Sequence, residues 1–390
     1  MNCKISHPNN IINCEINLPP SKSISNRLLI IQALSNKAIT INNVSKSEDT
    51  INLKKGICSS SKNIDINHSG TAFRFLTSYF SSIKNKEYVL TGSKRIQQRP
   101  IKELVDTLIK MGSNIKYINK KGFAPLKIKG KSLKGGSYQV SGKVSSQFIS
   151  SILLIAPTLD NGIRLKIDGP LVSAPYVDMT LQIMKEFGIE SKWQNNVIEI
   201  KKQCYESKIV TVEGDWSAAS FWFEIAALSS KCKIVLNGLE EKSLQGDKNC
   251  RDFFHNLGVS SKFSNKSLIL KKNKNISSNL KYNLIRYPDL YQPLACTLFA
   301  KNIKAHFSGT DSLKIKETNR LHAVSNELQK LNSSKIIDTY NDHRMAMSFA
   351  PLCLSHGELQ INNVDVVNKS YPKFWNDLKK AGFKISPLIA

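Results

Sequence analysis

Six short stretches of this chain set cations, acids and hydroxyls at spacings that suit anion binding and proton transfer. Lys22, Ser23 and Arg27 stand together in Pro19-Pro20-Ser21-Lys22-Ser23-Ile24-Ser25-Asn26-Arg27. Lysine is a point charge and arginine a two-pronged fork, and both suit phosphate or carboxylate. Cations at a helix start oppose the helix dipole, so local helix stability does not account for them. Ser145-Ser146-Gln147 offers two hydroxyls and an amide, and Arg99 stands directly before Pro100. Lys316-Glu317-Thr318-Asn319-Arg320 and Asn341-Asp342-His343-Arg344 mix both signs of charge, and Asp289 follows Tyr287-Pro288. Each stretch also has a purely local reading. The first can be a solvated basic turn, Ser145 and Asp289 can be simple helix caps, and Glu317 with Arg320 can be a surface i,i+3 pair.

These residues fall where helices begin. Six segments open with small or polar residues, near Ser21, Ser69, Ser145, Asp215, Asp289 and Asn341, and each is followed by a longer amphipathic segment. A helix start leaves backbone N–H groups unpaired and partly positive, which makes it an anion site. The partner helices run over 100–111, 176–187, 248–257, 321–331 and 372–381, and the first carries Ile101, Leu104, Val105, Leu108 and Ile109 at the spacing of one face. Their C-terminal caps are expected at Gly56, Gly112, Gly188, Gly258, Asn332 and Gly382. Strands are expected over 38–44, 88–91, 114–118, 163–167, 197–200, 233–236, 267–270 and 358–361. Three units per half predict two similar α/β domains with a halfway point near Val212-Glu213-Gly214.

Bulk properties narrow the class. A chain of 390 residues is too large for one ordinary core and suits two domains of nearly 200 residues each. No apolar run reaches the roughly 18 residues that span a bilayer, so no membrane partner is expected. The opening MNCKISHPNN has neither the apolar core of a signal peptide nor the pattern of a transit peptide, which predicts a cytoplasmic protein. Eight scattered cysteines without a CxxC pair favour reduced thiols over a disulfide frame or a zinc site, so no metal is expected. The net charge of +26 invites a nucleic-acid reading, but the lysines are spread through turns and strand edges with no basic helix. A solvated basic surface that gathers anionic metabolites is the expectation instead.

Seven ordered motifs then carry a resemblance across nearly the whole chain, from Pro19 to about Lys380. They are LPPSKSISNR, SGTAFRFL, QQRPI, VSSQF, VEGDWSAAS, KIKETNRL and YNDHRMAM. In them the chain resembles the EPSP synthases of the enolpyruvyl transferase family. The resemblance implies an inside-out α/β barrel fold: two domains, each of three α/β units, with the active site in the cleft between them. It assigns 1–19 plus 214–390 to one domain and 20–213 to the other. It implies transfer of the enolpyruvyl group of phosphoenolpyruvate to the 5-hydroxyl of shikimate 3-phosphate, in aromatic amino-acid biosynthesis, by a monomer without a cofactor.

The resemblance also assigns roles. It places Lys22, Ser23, Arg27, Ser145, Ser146, Gln147, Ser173, Tyr176, Asp289 and Lys316 around shikimate 3-phosphate. It places Lys22, Gly70, Arg99, Gln147, Arg320, Arg344 and Lys369 around phosphoenolpyruvate. Asp289 and Glu317 match the catalytic carboxylates, Asp289 as base with help from Lys22 and Glu317 as the acid that protonates the methylene carbon. Glyphosate is expected to compete with phosphoenolpyruvate beside Gly70. Three positions depart from the family pattern: His68 stands for the usual Asn, Ser312 for Asn, and Phe75 for Pro. The UDP-N-acetylglucosamine enolpyruvyl transferases share the fold, but their loop cysteine is missing from Gly92-Ser93-Lys94-Arg95-Ile96-Gln97-Gln98-Arg99. A nucleic-acid-binding protein would not need Asp289 with Glu317, and the matched charged residues argue against an inactive relative.

Overall fold

The computed structural model describes residues 1–143 and 145–388. They divide into two compact units, a continuous one (Ser21–Val212) and a split one (Met1–Pro20 with Glu213–Ala390). Val144, the first residue of the VSSQF motif, lies outside the described residues.

The continuous unit is built from α1 (Lys22–Leu34), α2 (Glu48–Cys58), α3 (Gly70–Ser82), α4 (Lys102–Lys110), α5 (Ser146–Ile155) and α6 (Ala174–Glu186). Helices α1, α3 and α5 pack on one another, while α2 lies on α1 and α3, α4 on α3 and α5, and α6 on α5 and α1. The inner three are apolar around nearly their whole circumference, as the ISSILLI run of α5 shows, and so sit in the interior. Outside them lie two four-stranded sheets and a two-stranded one. The first runs Asn63–Asp65, Glu87–Thr91, Leu126–Lys129, Asn114–Tyr117; the second runs Ser191–Gln194, Val197–Ile200, Ile163–Asp168, Gly136–Ser141. The third pairs Ile39–Asn42 in parallel with Lys208–Thr211.

The split unit repeats the plan with α7 (Trp216–Leu228), α8 (Cys250–His255), α9 (Tyr291–Ala300), α10 (Arg320–Lys330), α11 (His343–Phe349), α12 (Cys353–His356) and α13 (Phe374–Lys380). Here α7, α9 and α11 are the mutually packed inner helices. The first strands of the chain complete its sheets. Ile11–Asn17 pairs in parallel with Lys231–Asn237, and Asn2–Ser6 lies between Leu359–Ile361 and Lys384–Leu388. One hydrophobic core joins both ends of the sequence, from Cys3 and Ile5 to Phe374 and Phe383. Among the described residues no helix is long and apolar enough to cross a membrane.

Several local expectations are corrected. Gly112, Gly188 and Gly382 adopt positive φ just past α4, α6 and α13, as caps do. Gly56 is no cap: α2 continues to Cys58, and the glycine is buried where α3 crosses. A Cβ there would lie 2.5 Å from Leu76 Cδ1, so the glycine lets the Leu76 side chain pack directly against the α2 backbone. Gly258 belongs to the strand Leu257–Ser264, where the register shifts between Leu257 and Val259 and a bulge needs its φ of 90°. Asn332 does not take the left-handed conformation, and Leu331 closes α10 through its N–H on the Glu327 carbonyl. The segment 248–257 starts as a 3-10 turn over Gly246–Asn249, leaving α8 short. Ile109 turns away from the buried face of α4 and is 44% exposed.

Candidate active site

The inner helices of the two units begin differently. In the continuous unit they are capped by neutral serines: Ser21 Oγ accepts the Ile24 N–H, and Ser145 Oγ accepts the Gln147 N–H. Ser69 precedes α3 without a side-chain cap bond. In the split unit two of the three inner helices, α7 and α11, have carboxylate caps. Asp215 Oδ1 accepts from the Ser217 and Ala218 N–H groups at 2.8 and 3.2 Å, and Asp342 Oδ1 accepts from Arg344 N–H at 2.9 Å. Each cap is worth about 1 kcal/mol. A serine cap leaves the positive helix start electrostatically available to an anion, whereas an aspartate cap already compensates it.

The continuous unit assembles cations with hydroxyl and amide groups. Lys22 opens α1 with its Nζ 3.2 Å from Asp49 Oδ2 on α2. One turn later Arg27 is buried, with Nε donating to Thr180 Oγ1 (2.7 Å), Nη1 to the Ser23 carbonyl (2.8 Å), and Nη2 to Ser150 Oγ (3.2 Å) and the Tyr176 carbonyl (3.0 Å). None of these partners is a carboxylate. Burial pushes the Arg27 guanidinium down to about 10, so it remains a cation at neutral pH. Its guanidinium carbon lies 5.6 Å from the Phe75 ring centre and 6.0 Å from that of Tyr176. The phenylalanine that departs from the family pattern is thus part of an aromatic seat for a cation.

A second group forms at the start of α3. A Cβ on Gly70 would lie 2.5 Å from Arg99 Nη1 and 2.8 Å from Arg74 Nη1, so two buried guanidiniums converge there. Arg74 Nη1 donates to the Gly70 carbonyl, and its guanidinium lies over Phe148. Gln147 Nε2 reaches from α5 to Thr71 Oγ1 (3.1 Å), and its buried Oε1 has no partner among the described residues. Ser146 is buried beside it, and Ser145 is half-buried. Ser173 precedes α6 with φ 57° and ψ 37°, a left-handed conformation that costs a serine energy and is held by its surroundings. His68 is exposed.

The split unit concentrates both signs of charge around one arginine. Arg320 opens α10 and is 1% exposed. Its Nε donates to Asp342 Oδ2 (2.7 Å), Nη1 to Asp289 Oδ1 (2.9 Å) and Nη2 to Glu317 Oε2 (3.0 Å). Arg344 Nη2 lies 3.1 Å from Asp289 Oδ2, and its Nη1 donates to the Asp289 carbonyl. Lys316 Nζ is 3.6 Å from Asp289 Oδ1, and Lys369 Nζ donates to Glu317 Oε1 at 2.7 Å. Glu317 and Arg320 are therefore no surface pair. Nor is Asp289 a simple cap: it sits in a 3-10 turn (Pro288–Leu290), and Leu290 takes the cap position of α9. Burial works to raise the Asp289 carboxyl, but Arg344, then Lys316 and Arg320, hold it well below the usual carboxylate range.

Every site residue expected from the sequence falls in one of these two settings: Lys22, Ser23, Arg27, Gly70, Arg99, Ser145, Ser146, Gln147, Ser173 and Tyr176 in the continuous unit, and Asp289, Lys316, Glu317, Arg320, Arg344 and Lys369 in the split unit. Sequence reasoning missed Asp49, Arg74 and Asp342 as working members. Asp342 was visible as a carboxylate next to Arg344, but its bond to Arg320 spans 22 positions and leaves no local trace. Chemically, the first setting offers cations, hydroxyls and an amide that can receive an anion. The second combines anion-binding cations with two carboxylates that can exchange protons.

Comparison with known proteins gives a consistent picture. A family model described as EPSP synthase (3-phosphoshikimate 1-carboxyvinyltransferase) matches residues 7–59 and 52–378. A 3-phosphoshikimate 1-carboxyvinyltransferase from Bacteroides fragilis (strain YCH46) is 42% identical over 396 residues, covering 96% of each chain. One from Buchnera aphidicola subsp. Cinara cedri is 34% identical over 418 residues, covering 95% of each. A solved EPSP synthase structure from Acinetobacter baumannii superposes with a TM-score of 0.78 over 99% of this chain and 100% of that one. At 18% identity it supports the fold alone.

Proposed function

Because this chain belongs to the EPSP synthase family, we infer that the two charged settings work on one pair of substrates, phosphoenolpyruvate and shikimate 3-phosphate. The chain is an enzyme that transfers the enolpyruvyl group of phosphoenolpyruvate to the 5-hydroxyl of shikimate 3-phosphate and releases phosphate. Two substrates with several negative charges need many cations, and transition-state charge is best stabilised by groups already fixed in place.

In this reading Lys22, Ser23, Arg27, Ser145, Ser146, Gln147, Ser173, Tyr176 and Lys316 hold shikimate 3-phosphate. Gly70, Arg99, Arg320, Arg344 and Lys369, with Lys22 and Gln147, hold phosphoenolpyruvate. Asp289, assisted by Lys22, takes the proton from the 5-hydroxyl as its oxygen bonds to C2 of phosphoenolpyruvate. Glu317 delivers a proton to C3, and the product of this step is a tetrahedral adduct. Elimination removes a proton from the new methyl group and breaks the C2–O bond to phosphate, which regenerates the vinyl ether.

The observation that carries the reading is the position of Arg320. It holds Asp289 on one Nη and Glu317 on the other, so the two carboxylates that the chemistry requires are fixed by one rigid fork. These acids are tied to Arg320, Arg344, Lys316 and Lys369. Substrate phosphate and carboxylate groups compete for the same cations. Binding therefore weakens the hold on Asp289 and raises its basicity when a base is needed.

The test is Lys22→Ala and Arg344→Ala, each expected to lose orders of magnitude in turnover with an unchanged circular dichroism spectrum. Near-normal activity in either folded variant removes that residue from the site. We further propose that the chain acts as a monomer in the cytoplasm, for which a mass by sedimentation equilibrium of about twice that of one chain would be the contrary result to the monomer.

A further inference from the structure

We propose that the continuous unit carries a second ligand site, a pocket apart from its charged setting that binds an apolar α-amino acid of phenylalanine size. The pocket lies between α4, α5 and the edge strand Gly136–Ser141 and has a volume of about 150 Å³. Its floor is Leu104 from α4 and Phe148, Ile149 and Ile152 from α5, all of them buried. An apolar cavity of this size accepts a benzene ring. It is too small for a whole nucleotide or sugar phosphate, so it suits one side chain whose polar end stays at the mouth.

The mouth supplies both charges that such an end needs. Glu103, Thr107 and Lys110 line the pocket at i, i+4 and i+7, on one face of α4. An acid and an ammonium therefore stand two turns apart, about 10 Å along the helix. Asp106, between them, is tied to Lys102 one turn back. Neither Glu103 nor Lys110 has an ion-pair partner among the described residues. Partial burial raises the Glu103 carboxyl above its ordinary value, so a cation placed there offsets lost solvation. Ser141 Oγ accepts the Lys143 N–H at 3.2 Å and has its hydroxyl proton left to donate. A zwitterion matches this arrangement: ammonium on Glu103, carboxylate on Lys110 and Ser141, side chain on the floor. Phe148 links the pocket to the charged setting. Its ring centre lies 5.8 Å from the Arg74 guanidinium carbon, and Arg74 Nη1 donates to the Gly70 carbonyl at 2.8 Å. A ligand packed on Phe148 steadies that seat and so favours phosphoenolpyruvate. This coupling, unlike the binding, rests on the reading of Gly70 and Arg99 given above.

The experiment is calorimetry on the full chain without substrates. The probes are L-phenylalanine, phenethylamine, which lacks the carboxylate, and 3-phenylpropionate, which lacks the ammonium. L-Phenylalanine should bind about tenfold more tightly than either of the others. Glu103→Gln should weaken L-phenylalanine by about five- to tenfold and leave 3-phenylpropionate unchanged. Lys110→Gln should weaken L-phenylalanine to a similar degree and leave phenethylamine unchanged. Ile152→Phe fills the floor and should abolish binding; should that variant not fold, the two variants at the exposed mouth decide. No heat up to about 5 mM L-phenylalanine, where a Kd of about 1 mM would show, overturns the proposal. So does binding that neither mouth variant weakens. With L-phenylalanine at saturation, KM for phosphoenolpyruvate should fall by about twofold or more. An unchanged KM overturns the coupling, whereas a chain that binds L-phenylalanine but transfers no enolpyruvyl group contradicts the functional reading and not this site.

Discussion

Adding one methyl group at Gly70 tests the placement of Arg99 more sharply than removing the arginine. The glycine opens α3 without a positive φ, so alanine meets no backbone strain there. Space is the only obstacle. An added Cβ would lie 2.5 Å from Arg99 Nη1 and 3.3 Å from its Cζ, with Arg74 Nη1 at 2.8 Å. Ordinary contact between such atoms is about 3.4 Å or more, so the Arg99 guanidinium must retreat by roughly 1 Å. A charge-assisted hydrogen bond contributes about 1.5–3 kcal/mol, and a displacement of this size at a reacting centre can cost on the order of a hundredfold. Gly70→Ala should therefore lower kcat/KM for phosphoenolpyruvate by about 10- to 100-fold. KM for shikimate 3-phosphate should change far less. Glyphosate, a competitor for the same pocket in this reading, should lose affinity at least as much. The assay is phosphate release at varied phosphoenolpyruvate, with a thermal melt to show an intact fold. A folded variant with kcat/KM within about twofold of wild type would refute the argument that Arg99 and the substrate share this space.

Glu317→Gln should lower kcat by about 10²–10⁴-fold, the range for a general acid, while calorimetry shows shikimate 3-phosphate still bound; loss of binding as the whole defect would remove the acid role. Arg320→Ala strips the cation from Asp342, which is 0% exposed, and from Asp289 and Glu317. That should cost roughly 3–5 kcal/mol in urea unfolding, and a loss under about 1 kcal/mol would contradict it. Glu224 is 0% exposed, both its carboxylate oxygens lack partners among the described residues, and burial raises it well above its usual 4.5. The folded form keeps that proton above pH 4.5 while the unfolded chain releases it. Stability should therefore fall by about 1.4 kcal/mol per pH unit from there up to the raised value, and Glu224→Gln should remove that part of the slope.

Helix starts were the legible part of this fold. Small or polar openers before apolar runs mark all six inner helices, and four of these open on a side-chain cap, which is chemistry within three or four residues. The eight expected strands all appear, since β-branched runs of that length have few other uses. What failed was set by distant partners. Gly56 was read as a helix stop, yet its absent side chain answers to Leu76 on another helix. Gly258 serves a bulge against Asn273 and its neighbours rather than α8. Ile109 has the right spacing for the buried face of α4 but falls at its edge. In the charged settings the sequence motifs named the cations and two carboxylates. Asp49, Arg74 and Asp342 emerged only from contacts between elements.

The most direct test of the account is phosphate release from phosphoenolpyruvate by the purified chain, with and without shikimate 3-phosphate. The account requires negligible release from phosphoenolpyruvate alone. On adding shikimate 3-phosphate it requires rapid release, with one enolpyruvyl ether formed per phosphate. Release that does not depend on shikimate 3-phosphate, or none in its presence from folded protein, would contradict it.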